Sequence, residues 1–265
     1  MIRGLDYARG RPGGKAIKEA GYQFAVRYLT DGGPSLPGKQ LTADEAADLR
    51  AHGIEIVTCW ETTADRMLGG YQAGVLDAQA AKQHIARLNG PQDRPVYFCC
   101  DFDATPEQQE AINDYLRGAA SVVGFDRVGI YGGYWPLSRA KQAGLANWFW
   151  QTEAWSGTNR LVGRQLHQRI GFVDVGGVQC GVDEALADDY GQWGAPAEVA
   201  PLPPEQPPDY PRLAWEQLVG PDGGGWPQLG HKSVVAFLAE LRADHDRAVE
   251  AISAALTQLL QEDEP

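Results

Sequence analysis

The chain alternates short apolar runs with helix-like stretches, and that alternation restricts its fold more than any other feature. IRGLD (2–6), QFAVRYL (23–29), IEIVTCW (54–60), PVYFCCDFD (95–103) and RVGIYGG (127–133) read as strands, each followed by a helical stretch. Those stretches fall around 12–20, from Thr42 to His52, over 73–88, from Thr105 to about 123, and over 136–143. Thr42 with Glu45 three residues on has capping-box spacing, Gly53 suits the residue after a helix, and Pro106 suits a first helical turn. Three more strand-like runs follow, WFWQTE (148–153), RQLHQRI (164–170) and GVQCGVD (177–183), with gaps too short and Gly-rich for full helices. Strands alternating with helices predict a parallel sheet, and eight of them can close into a TIM-like α/β barrel with about five helices. An open doubly wound sheet is the competitor, but no GxGxxG turn follows the first strand.

The barrel is expected over residues 1–195. A Pro-rich linker follows over 196–211, with seven prolines between Pro196 and Pro211. Residues 212–265 form a C-terminal helical segment, uninterrupted from about Lys232 to Glu262. Within it Leu238, Leu241, His245, Ala248, Ile252, Ala255 and Leu259 alternate three- and four-residue spacings. That heptad seam predicts a homo-oligomer or a tail partner; the competing reading is a helix folded back on the barrel.

Charge narrows the partners. The net charge of −12 repels polyanions, and the Lys and Arg residues form no basic stripe, so nucleic acid and anionic membrane are not expected partners. No run of 18 apolar residues occurs, and MIRGLDYARG lacks an apolar core, so neither a membrane span nor a signal peptide is predicted. Cys59, Cys99, Cys100 and Cys180 lack CxxC spacing and read as buried free thiols, with Cys99 and Cys100 facing opposite sides of one strand.

In a parallel barrel, side chains at the C-terminal ends of strands point into the mouth where substrates bind. That rule selects Asp6 from strand one, Asp101 and Asp103 from strand four, and Asp183 from strand eight. Asp101 and Asp103, two apart on a strand, would face the same side at roughly 7 Å. Like charges that close raise one pKa, and an acid beside a carboxylate is what glycoside hydrolysis uses. Each Asp has a plainer role open to it: Asp103 can cap the next helix, and Asp6 or Asp183 can pair with Arg3 or Arg27. Trp60, Glu61, Tyr131, Gln151, Glu153, Trp155 and Gln168 extend the pocket as substrate-binding candidates, with Glu61 and Glu153 as rival acids. No GxSxG elbow, HExxH or DxDxDG loop occurs, so a serine hydrolase is disfavoured, and no metal and no cofactor is expected.

GLDYARGRP, FAVRYLT, GKQLTADEA, PVYFCCDFDAT, VGIYGGY, WFWQTEAWSG and GVDEAL…DDYGQW together resemble the glycoside-hydrolase-like family once catalogued as domain of unknown function 1906. The resemblance spans about residues 3 to 193. That family is similar to the family 25 glycoside hydrolases, lysozymes that cut peptidoglycan and fold as barrels with eight strands and about five helices. By this resemblance Asp6, Asp101 and Asp183 match the family's Asp positions, and Asp103 stands where the lysozymes carry a Glu general acid. A carboxyl retracted by one methylene misplaces the proton donor by about an ångström, at a cost on the order of 100-fold. LAWEQLVGPDGGGWPQLG resembles C-terminal segments of phage lysins and tail-associated proteins of actinobacterial hosts. The resulting expectation is a lysozyme-like glycosidase acting on cell-wall glycan. Asp103 would be its acid, with Asp101 and Asp6 assisting. It would be made in the host cytoplasm and reach the envelope in a phage particle or with a holin. The alternative is a non-catalytic glycan-binding or structural module of a phage tail, and a metal-dependent hydrolase ranks last.

Overall fold

The structure, a computed structural model, describes residues 2–33, 37–194, 218 and 229–262. Eight strands close a barrel in sequence order: β1 (Ile2–Asp6), β2 (Phe24–Tyr28), β3 (Glu55–Trp60), β4 (Val96–Cys100), β5 (Val128–Gly132), β6 (Trp148–Thr152), β7 (Leu166–Val175) and β8 (Val178–Ala185). Five helices cover the first strands: α1 (Gly14–Glu19), α2 (Ala43–Ala51), α3 (Gly70–Arg87), α4 (Gln109–Val123) and α5 (Tyr134–Gln142). The expected eight strands and five helices are therefore present. Two compact units divide the chain, residues 1–199 and 200–265. The second contains α6 (Val234–Glu262). The Pro-rich stretch 196–211 lies outside the described residues.

The helix signals act largely as the sequence implies. Thr42 Oγ1 accepts from the Glu45 N–H at 3.2 Å, and Gly53 takes a positive φ of 69° after the end of α2. Glu45 does not reach back to complete a capping box. Its carboxylate turns to the barrel wall, where it accepts from Arg27 Nε at 2.8 Å, the Tyr7 hydroxyl at 2.9 Å and Arg11 Nε at 2.9 Å. Pro106 sits in a turn, and regular helix begins three residues later at Gln109.

The sheet departs from the parallel expectation at one strand. β8 runs antiparallel to both β7 and β1. A parallel crossover needs a dozen or more residues, and only Gly176 and Gly177 separate β7 from β8. Both glycines have positive φ, 59° and 78°, the turn geometry that favours glycine in a two-residue hairpin.

Alternation along the strands sorts side chains into two layers. Phe24, Val26, Val57, Cys59, Tyr97, Cys99, Tyr131 and Trp150 fill the barrel, while Trp60, Phe98, Cys100 and Ile130 pack outward with the helices. Cys99 and Cys100 thus face opposite sides, and all four cysteines are buried and free. Tyr190 closes the lower end, its ring 4.8 Å from Phe24 and its carbonyl accepting from the Tyr97 hydroxyl.

Arg27 is fully buried between barrel and helices. Besides Glu45, it donates to the carbonyls of Tyr7 and Lys39. Burial pushes the Glu45 carboxyl up, yet Arg27 outweighs it and holds the group below its ordinary value. Breaking such a pair strands a buried charge. Glu45→Ala is expected to destabilise the protein by about 3–5 kcal/mol, read from the midpoint of chemical denaturation.

Candidate active site

The mouth of the barrel holds a cavity of 390 Å³ whose polar lining comes from Asp6, Tyr28, Glu61, Asp101, Tyr131, Thr152, Gln168 and Arg169. Trp155, Ile170 and Phe172 form its apolar rim. Of the residues selected from sequence, Asp6, Asp101, Glu61, Tyr131, Trp155 and Gln168 meet here.

Asp101 and Glu61 form one acidic pair. β4 ends at Cys100, and the Asp101 N–H turns to the Ala64 carbonyl at 3.1 Å. Burial, then the charge of Glu61 and a hydrogen bond with it, push the Asp101 carboxyl up to about 7. A hydrogen bond between two carboxyl groups requires a proton between them, and that shift places it on Asp101. Glu61 accepts from Lys39 Nζ at 2.5 Å, and Lys39 also lies 4.1 Å from the Tyr28 ring centroid. The Tyr131 hydroxyl lies 3.4 Å from Asp101 Oδ1 and donates to Gln168 Oε1 at 2.7 Å.

Asp6 and Asp183 form a second pair. Because β8 is antiparallel, Asp183 is not at a rim-facing strand end. Its register partner is Gly4, while Asp6 lies opposite Gly181, so Asp183 is two residues deeper. It is fully buried beneath Asp6. Trp150 Nε1 donates to its Oδ1 at 2.7 Å. Burial, then the charge of Asp6, push its pKa well above the ordinary carboxylate range. Asp183 Oδ2 meets no donor among the described residues, and the hydrogen bond between the two carboxyls lowers the Asp6 pKa while raising that of Asp183, the pattern of an Asp183 O–H donating to Asp6. Asp6 also accepts from Gln168 Nε2 at 2.8 Å, and burial raises its pKa too. The absence of a side chain at Gly181 makes room for this carboxylate: a Cβ there would lie 2.2 Å from Asp6 Oδ2.

The remaining selected residues fall elsewhere. Asp103 is exposed and lines a separate cleft with Trp135 and Arg139. The two-residue spacing from Asp101 does not place both on one face, because the strand has ended and its alternation with it. Trp60 packs in the outer layer. Gln151 also faces outward, accepting from the Leu161 N–H and donating to the Asn159 carbonyl, both at 2.8 Å. Glu153 braces β6 against β7 by accepting from the Ile170 N–H and pairing with His167 and Arg160. Arg27 pairs with Glu45, so neither Asp6 nor Asp183 is its partner. Sequence reasoning missed Lys39 and the hairpin residues Arg169, Ile170 and Phe172. Tyr28, at the end of β2, was open to the strand-end rule; Lys39, in a loop, carried no signal.

Trp155 has a positive φ of 56°, uncommon for an aromatic residue. Ser156 fixes that turn: its N–H donates to the Glu153 carbonyl, and its hydroxyl donates to the Thr152 carbonyl and accepts from the Tyr134 N–H at 2.9 Å. The bend presents the indole, 40% exposed, at the cavity rim.

An eight-stranded barrel with paired carboxylates under an aromatic rim defines a glycoside-hydrolase-like protein. The chain belongs to the Rv2525c-like, glycoside hydrolase-like domain family, whose model matches residues 15–187. It is 36% identical over 200 residues to Rv2525c of Mycobacterium tuberculosis, named as a proposed peptidoglycan hydrolase, covering 71% of this chain and 82% of the relative. The crystal structure of that Tat-secreted protein with L-tartrate superposes with a TM-score of 0.69 at 33% identity, over 73% of this chain and 99% of that one. The modular autolysin LytC of Streptococcus pneumoniae shares the fold, with a TM-score of 0.50 at 17% identity, over 73% of this chain and 46% of its own. A second family model, the Rv3766 C-terminal domain, matches residues 212–261.

A carboxyl whose folded pKa is raised contributes stability below its unfolded value of about 4 and loses it as pH rises through the folded value. Asp6, Asp101 and Asp183 all have this sign. The melting temperature is therefore expected to fall as pH rises from 4 to 8. Asp183→Asn keeps a donor toward Asp6 and an acceptor for Trp150, so it should flatten that dependence. Asp183→Ala leaves both partners unsatisfied and should cost about 1–3 kcal/mol.

Proposed function

We propose that the barrel is a glycosidase of the lysozyme type that cleaves the amino-sugar backbone of bacterial peptidoglycan, with Asp101 as the general acid. The observation that carries this reading is Asp101 held against Glu61, its carboxyl pushed up to about 7, in a cavity large enough for sugar residues. Asp101 gives its proton to the glycosidic oxygen as the bond to the anomeric carbon breaks. Asp6, with the Asp183 proton directed at it, carries negative charge toward the forming oxocarbenium centre. Water completes the reaction at that carbon and gives its proton to a carboxylate. Family membership and the relative's name support cell-wall glycan as the substrate. Work at the cell envelope, reached in a phage particle or with a holin, is part of the same proposal and rests on the sequence alone. A poised proton donor favours turnover over binding alone.

Release of reducing ends from purified actinobacterial wall tests this. Asp101→Asn is expected to lose at least about 100-fold in kcat, within the range for general acid catalysis, while Asp103→Asn keeps most of it. Equal activity of Asp101→Asn and wild type would refute the assignment. The rate should decline as pH rises through about 7, where Asp101 ionises. Lys39→Met removes a positive charge facing the pair, so the decline should move to higher pH.

We also propose that α6 self-associates. Leu238, Leu241 and Ile252 of its seam are each at least half exposed. Apolar residues at that spacing bury their surface when two such helices pair. Light scattering should give a multimer for the full chain and a monomer for Leu238→Glu/Ile252→Glu; a monomeric wild type would refute it.

A further inference from the structure

The cleft that receives Asp103 is not part of the reaction cavity, yet it has the composition of a carbohydrate-binding surface. It measures 340 Å³ and is lined by Asp103, Ala104, Thr105, Pro106, Trp135 and Arg139. Trp135 is 48% exposed, a large area for a side chain that is highly buried on average. The Tyr134 ring packs edge-on at 5.1 Å and 79°. The Arg139 guanidinium lies 5.9 Å from the Trp135 ring centroid. Among the described residues Arg139 donates only one hydrogen bond, a long one of 3.4 Å to the Ala104 carbonyl, and pairs with no carboxylate. Most of its N–H donors are thus open to a ligand.

The cleft is tied to the rim of the cavity through a braced connection. Gly133 precedes the Tyr134–Trp135 pair, and a Cβ there would lie 3.3 Å from the Trp155 Cβ. The Tyr134 N–H is fixed to Ser156 Oγ, next to Trp155. Trp155 on the cavity rim and Trp135 in the cleft therefore belong to one rigid unit built from the loop after β6 and the start of α5. Asp103 reaches the same place from the loop after β4. β4, β5 and β6 are consecutive neighbours in the barrel, so these loops lie side by side on the mouth face.

We propose that this cleft is a second saccharide subsite, taking the next amino sugar of the glycan strand held in the cavity. The sugar ring stacks on Trp135, its hydroxyls donate to Asp103, and Arg139 donates to its N-acetyl carbonyl or its carboxylate. Flat aromatic faces with apolar surface suit the C–H face of a sugar, and the flanking charged groups suit its polar edge. This subsite rests on the glycan reading of the cavity. It gives Asp103 a binding role in place of proton transfer.

Calorimetric titration in an Asp101→Asn background, which leaves the glycan uncut, tests the subsite. The probes are a peptidoglycan disaccharide, a peptidoglycan tetrasaccharide and an N-acetylglucosamine tetramer. Trp135→Ala should weaken the peptidoglycan tetrasaccharide about tenfold, equivalent to about 1.4 kcal/mol, and leave the disaccharide unchanged. Phe125→Ala removes a comparably exposed aromatic ring at the opposite end of the barrel and should change neither. Arg139→Ala should weaken both tetrasaccharides if it meets the N-acetyl carbonyl, and only the peptidoglycan one if it meets a carboxylate. Unchanged tetrasaccharide affinity in Trp135→Ala overturns the subsite and leaves the cavity reading intact. No binding of any probe in the Asp101→Asn background overturns both.

Discussion

The antiparallel closure of the barrel by β8 is the constraint on which the rest of the site depends. Two glycines cannot carry the chain back to the bottom of the barrel, so β8 descends from the mouth. It therefore joins β7 to β1 with its residues in reverse order of depth. Gly181 comes level with Asp6, and Asp183 falls beneath it. A parallel eighth strand ending at Asp183 would have raised that carboxyl to the rim, where water would ionise it. Burial keeps it protonated, and its proton supports Asp6 from below.

The mouth and the layer beneath it thus carry four carboxyl groups arranged as two pairs, each sharing a proton. Four free negative charges so close together would repel strongly at low dielectric. Pairing removes most of that cost and divides the labour. The deep pair, Asp183 and Asp6, is structural below and charged above. The shallow pair, Asp101 and Glu61, is balanced by Lys39, and its acid is pushed up to about 7. Arg27 links this chemistry to the fold, because the guanidinium that pairs with Glu45 also anchors the Lys39 carbonyl. The buried ion pair behind the barrel wall helps aim the lysine in front of it.

Sequence pattern made the barrel legible because its signals are local. A strand of β-branched and aromatic residues, a capping threonine and a terminal glycine each act over a few residues. β1 to β6 and α1 to α5 could therefore be read one at a time. The same logic found Asp6, Asp101 and Glu61 at the ends of β1, β4 and β3. It failed where alternation was extrapolated past the end of an element. Asp103 follows Asp101 by two, but the strand stops at Cys100, and the chain turns Asp103 outward. Gln151 and Trp60 each precede a cavity-lining residue by one position, and the pleat sends them to the other face.

The sequence by itself determined the number and order of the elements, the polarity of each strand face and the pool of acidic side chains available to a mouth. Those properties depend on neighbours within one turn or one pleat. Only the tertiary structure decided which acids share a proton, which lysine balances them and which aspartate lies outside the cavity. Those outcomes depend on strand direction, depth in the barrel and contacts between residues as distant as Lys39, Glu61 and Asp101. Burial and proximity set the charge of a carboxyl group, and neither is a property of its place in the chain.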